Sequence, residues 1–138
     1  MALGKLLFEE SGKQTEARVI ADKEEPQTEV TGSGNMKLNG ADFTTLWIRV
    51  VTFGDNGIGY SQGNGWIYLD DRIIATYAMS SVVKPNGPDV ASSRGVSSIR
   101  SSSYDNPKIS SAIDGVAAVY ELEQDNDGNY SAKYWEWK

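Results

Sequence analysis

Tyr60, Gln62, Asn64 and Trp66 stand at every second position of one short stretch and bring together a phenol, two amides and an indole. In an extended strand, residues two apart share a face, so the four form one polar and aromatic stripe. Such a stripe suits the wall of a small-molecule cavity, where apolar area supplies affinity and a few polar groups fix orientation. Trp47, Arg49 and Tyr77 occupy the neighbouring segments and complete the expected lining if they face the same side. The seven residues predict an interior that holds a small apolar or amphipathic molecule. A register error of one residue would turn the stripe outward.

The same stretch, "GIGYSQGNGW" at 57–66, carries four glycines and poses a rival reading as a phosphate-cradling loop. Gly57, Gly59, Ser61, Gly63 and Gly65 obey a strict two-residue parity, which a strand imposes and a loop does not. The spacing Gly57-x-Gly59-x-x-x-Gly63 is one residue too long for a dinucleotide fingerprint, and no Gly-Lys-Ser/Thr follows for a P-loop. The stretch reads as a strand.

The chain has no histidine and no cysteine. Ser-His-Asp triads, thiolate nucleophiles, disulfides and Cys-ligated metal sites are thereby excluded. Nothing in the sequence demands a metal or a cofactor. Charged groups within alternating segments remain: Arg18, Arg49, Arg100, Glu121 and Glu136. An inward arginine paired with a glutamate satisfies both charges and can grip a carboxylate. Exposure on the outer strand face is the commoner fate of such residues. A second reading makes the protein an isomerase or cyclase on a lipid-like substrate, with Glu121 or Glu136 supplying charge. A third makes it a solidly packed scaffold without a ligand.

"EQDNDGN" at 123–129 mimics the start of a calcium loop, yet its twelfth position is Tyr134 and not the bidentate glutamate such loops require. It reads as a hairpin turn. Asn129-Tyr130-Ser131 matches a glycosylation triplet, read here as turn chemistry.

Period-two alternation broken by turn clusters organises the chain. It predicts strands at 4–10, 14–21, 28–38, 42–53, 57–69, 72–83, 90–103, 115–124 and 130–138. Expected turns are Ser11–Gly12–Lys13, 22–27, Asn39–Gly40, 54–57, Asp70–Asp71, 84–89 and Asp125–Asn129, with a short helical turn within 106–114. "YWEWK" at 134–138 places Trp135 and Trp137 on one face, Tyr134 and Glu136 on the other. Such bulk predicts a docked strand that closes the sheet. Eight to nine strands without amphipathic helices predict one all-β domain over 1–138, a closed antiparallel barrel.

The 138 residues carry 13 Lys and Arg against 19 Asp and Glu, a net charge of −6. That balance argues against a nucleic-acid partner, since affinity for phosphate backbones needs clustered positive charge. No run approaches the roughly 18 apolar residues of a membrane helix. Acidic Glu9 and Glu10 interrupt any signal-peptide core, so the expected location is cytoplasmic.

"LGKLLFEESGKQTEARVI" near the start, Gly32-Ser33-Gly34, Gly63-Asn64-Gly65 and the closing "AAVYELEQDNDGNYSAKYWEWK" resemble uncharacterised prokaryotic DUF3224-like proteins. Their barrel is similar to that of plant allene oxide cyclase, within the calycin-like architecture. The resemblance covers about half the chain, chiefly its two ends. It implies a barrel of about eight antiparallel strands with an internal cavity, often self-associating as a homo-oligomer. Cyclase chemistry belongs to the plant branch, and no catalytic residue is carried over to this chain.

Overall fold

The computed structural model describes residues 3–21, 26–38, 40–87, 90–101 and 111–137. Eight strands follow one another: β1 (Leu3–Ala21), β2 (Gln27–Leu38), β3 (Ala41–Phe53), β4 (Gly59–Leu69), β5 (Arg72–Pro85), β6 (Val90–Ser101), β7 (Val116–Asp125) and β8 (Asn129–Trp137). Each pairs antiparallel with the next, and β8 returns to β1, so the sheet closes into a barrel. The all-β barrel expected from the alternation is the one observed. Closure gives the C-terminal strand two neighbours and leaves most backbone groups paired.

The count is eight because the segments expected at 4–10 and 14–21 are one strand. Ser11, Gly12 and Lys13 do not turn. They pair with Asn35, Gly34 and Ser33 on one side and with Ser131, Tyr130 and Asn129 on the other. Gly12 is there for space. A Cβ at this position would collide with the Ser33 carbonyl and the Gly34 Cα. Beyond Lys13, β1 pairs only with β2.

The remaining strands agree with expectation within a few residues. β4 begins at Gly59, while Gly57 belongs to the preceding turn with φ +79°. Residues 111–113 form one helical turn, and the rest of the stretch expected at 106–110 lies outside the described residues. So do residues 22–25, Asn39 and 88–89 of three expected turns, and 102–103 of the serine-rich strand. The Asp125–Asn129 hairpin is tied by the Asp125 carboxylate, which accepts the backbone N–H groups of Asp127 (2.9 Å) and Asn129 (3.0 Å). This is the Asx-type turn that aspartate favours.

Small and large residues alternate across the barrel wall, which is how a narrow barrel fills itself. Gly32 lies under the Trp47 indole, Gly65 under the Tyr77 ring, and Gly34 under the Tyr130 hydroxyl. Phe8, Met36, Phe43, Ile67 and Ile99 complete the apolar core. The inward glycines are therefore the complement of inward rings.

Candidate functional site

β3 turns Phe43, Thr45, Trp47, Arg49 and Val51 inward, as strict alternation requires. Glu10 of β1, two strands away along the wall, meets this row over β2. It is 5% exposed, and three hydroxyls are aimed at its carboxyl group. Thr45 Oγ1 donates to Oε2 at 2.6 Å, Tyr130 Oη to the same oxygen at 2.7 Å, and Tyr134 Oη to Oε1 at 3.1 Å. The Trp47 indole N–H donates to Tyr130 Oη at 2.9 Å and extends the chain of hydrogen bonds. Burial raises the Glu10 pKa and outweighs the lowering effect of these hydrogen bonds. Burial and the negative charge of Glu10 likewise push the Tyr77 and Tyr134 hydroxyls well above their usual range.

Arg49 shares the interior but is not held in the same way. It is 7% exposed, with its guanidinium carbon 5.3 Å from the centre of the Trp47 ring. Its Nε is buried without a hydrogen-bond partner. The ion pairs among the described residues are Arg18–Glu29 (3.1 Å) and Lys37–Asp42 (3.8 Å), so no described carboxylate is ion-paired with Arg49. Burial lowers the Arg49 pKa, and neighbouring tyrosines partly offset this. Ser61, Ser81, Ser97 and Tyr120 add further buried hydroxyls without partners. Tyr120 Oη faces Ser81 outside hydrogen-bond geometry.

Little empty space is left among these groups. One void of about 10 Å³ is bounded by Arg49, Tyr77, Met79, Tyr120 and Leu122. A second of about 10 Å³ is bounded by Phe8, Met36, Thr45, Ile67 and Ile99. Each has room for roughly one water molecule. Met79 and Leu122 are half-buried and border the first void.

The expected site residues divide between the two faces of the wall. Trp47, Arg49 and Tyr77 point inward and converge on the first void. Tyr60, Gln62 and Asn64 are exposed, and Trp66 is half-buried on the outer surface. The cause is register: Trp47 pairs with Gly65, and Gly65 pairs with Tyr77. The glycine parity of β4 therefore faces in, and the aromatic stripe is displaced to the outside. Asn64 and Trp66 border an open outer depression of about 340 Å³ with Thr76, Ala78, Ser98 and Arg100. The expectation that the stripe lines the interior is corrected accordingly.

The inward carboxylate is Glu10. Glu121 is exposed and Glu136 half-buried. The signal for Glu10 was its shared parity with Phe8, masked by the adjacent Glu9. Tyr120, Tyr130 and Tyr134 were also missed as a group, although each alternates with outward residues. The rings of Phe8, Tyr134 and Tyr120 stack in sequence, with centroids 4.4 Å and 5.2 Å apart.

Fold and interior together define a closed eight-stranded antiparallel barrel with a polar, aromatic lumen. Two solved structures share the architecture. A protein of unknown function from Clostridium acetobutylicum superposes with TM-score 0.78 and 14% identity, over 100% of both chains. A conserved protein of unknown function from Rhodopseudomonas palustris does so with TM-score 0.74 and 10% identity, over 99% of each. At such identities the likeness is one of fold. No family model and no curated protein matches the sequence. No helix among the described residues is long and apolar enough to cross a membrane.

Proposed function

We propose that the protein is a binding barrel that receives a small amphipathic molecule in its lumen. One observation carries this reading. Arg49 Nε, three serine hydroxyls and the Tyr120 hydroxyl are buried without partners in one interior. Buried polar groups are ordinarily hydrogen-bonded, and each one left unsatisfied costs about 1–3 kcal/mol. A barrel selected only for packing would replace them with aliphatic side chains. A ligand or its accompanying water supplies the missing partners. Met79, unbranched and half-buried, is suited to yielding space. Trp47, Arg49 and Tyr77 remain in the proposed lining. Tyr60, Gln62, Asn64 and Trp66 leave it.

This reading keeps the chain with the DUF3224-like, allene oxide cyclase-like barrels that its terminal segments resemble. The isomerase alternative would now assign Glu10, not Glu121 or Glu136, as the interior carboxyl group.

The voids of about 10 Å³ favour a second reading, a packed scaffold that acts through its outer surface. Exposed Leu3, Leu6 and Trp137 would then serve self-association. Native mass spectrometry of the purified protein separates the two. A reproducible small-molecule adduct supports the binding barrel. A clean apo mass that persists with added lipophilic probes overturns it.

A further inference from the structure

We propose that the charged end of the ligand is a carboxylate, received by Arg49 against the face of Trp47. The inference rests on the reading of the lumen as a binding site and names the class of molecule that enters it. A buried cation needs a counter-charge, because removing it from water without one is among the costliest arrangements in a fold. The described residues supply none. Glu10 is the buried carboxyl group among them, and it is engaged by Thr45, Tyr130 and Tyr134. No ion pair joins it to Arg49. Among the described residues Arg49 has no such partner, and in this reading that role falls to the ligand.

The surroundings restrict its chemistry. Trp47, Tyr77, Met79, Tyr120 and Leu122 border the void beside Arg49, and none carries a second positive charge. Glu10 also borders it and disfavours any additional negative charge. One guanidinium facing one anion selects a monoanion over a phosphate dianion. The planar fork of arginine matches the two oxygens of a carboxylate. Stacking on Trp47 fixes the plane of that fork. The partnerless Tyr120 hydroxyl is a further donor. A void of about 10 Å³ admits little more than the oxygens of such a group. Its apolar remainder takes space now filled by the Met79 and Leu122 side chains.

Isothermal titration of the full chain with hexanoate, 1-hexanol and sodium chloride tests this. Hexanoate is expected to bind at least tenfold more tightly than 1-hexanol, and Arg49→Met to abolish the difference. Methionine fills the arginine volume without a charge, a replacement that buried ion sites often tolerate. Equal binding of hexanoate and 1-hexanol overturns the carboxylate assignment and leaves the binding barrel standing. No binding of either overturns both. Chloride that saturates Arg49 and blocks hexanoate overturns the assignment in favour of an inorganic-anion site. Should Arg49→Met fail to fold, the wild-type comparison of acid with alcohol still decides.

Discussion

Trp47 and Tyr130, 83 residues apart in the chain, are joined by an indole N–H···O bond of 2.9 Å, and the same hydroxyl donates to Glu10 at 2.7 Å. Tyr130 thus bridges β3 and β1 from β8, at the seam where the barrel closes. Its hydroxyl both accepts and donates, so removing it strands a buried donor and deprives Glu10 of one partner.

Tyr130→Phe is accordingly expected to lower stability by about 2 kcal/mol, within the range for buried groups left unsatisfied. Tyr134→Phe removes a longer, 3.1 Å bond to the other Glu10 oxygen and should cost about half as much. Urea unfolding of both variants measures the two costs. Equal losses would show that the indole link adds nothing to the bridge.

Much of the fold was legible because period-two alternation runs through nearly every strand, and seven of the eight observed strands were foreseen within a few residues, β1 alone being expected as two. The site was less legible, for a reason that lies in β4. Over residues 59–66 its inward positions are Gly59, Ser61, Gly63 and Gly65, while Tyr60, Gln62, Asn64 and Trp66 point outward. Sequence hydrophobicity ordinarily assigns the larger face to the core. Here the Tyr77 ring enters from the adjacent strand and fills the volume above Gly65, as the Trp47 ring does above Gly32. Only the pairing register reveals that exchange. Gly12 misled in a related way, since a glycine needed for close strand approach looks in sequence like a turn residue.

The pH dependence of stability should carry the signature of Glu10. Burial raises its folded-state pKa above the ordinary 4.5 despite three hydrogen bonds that act the other way. The folded protein therefore keeps this proton at pH values where the unfolded chain has released it. The contribution is fully present below pH 4.5 and is lost as pH rises through the folded-state pKa. Glu10→Gln cannot titrate. The stability of the wild type minus that of Glu10→Gln should fall as pH increases from 4 upward, by at most about 1.4 kcal/mol per pH unit. Denaturant titrations from about pH 4 to 8 test this, and a difference that grows with pH would contradict it.

The outward position of the aromatic stripe makes a prediction that separates the two faces of the wall. Tyr60→Ser and Gln62→Ala remove side chains from the exposed face, where substitutions ordinarily stay within about 0.5 kcal/mol. Trp66→Ala should likewise leave hexanoate binding unchanged. Trp47→Leu, by contrast, removes the ring beneath Arg49 and should weaken that binding several-fold. Titration of the four variants checks the assignment. Loss of binding in Trp66→Ala with retention in Trp47→Leu would place the site on the outer surface.

Gly65 offers a direct test of how the interior is filled. It has no positive φ, so its lack of a side chain serves space and not backbone freedom. A Cβ there would run into the Tyr77 ring. Gly65→Ala should therefore destabilise by about 1–3 kcal/mol, the usual cost of forcing extra volume into a packed core. Tyr77→Ala should itself be destabilising, because it leaves a cavity over Gly65. The double variant, however, should be more stable than the sum of the two losses predicts, since the new methyl occupies part of that cavity. A double-mutant cycle read by urea unfolding measures the coupling. Simple additivity would mean that the ring moves aside freely, and that the lumen is already loose enough to admit a ligand without displacing Met79 or Leu122.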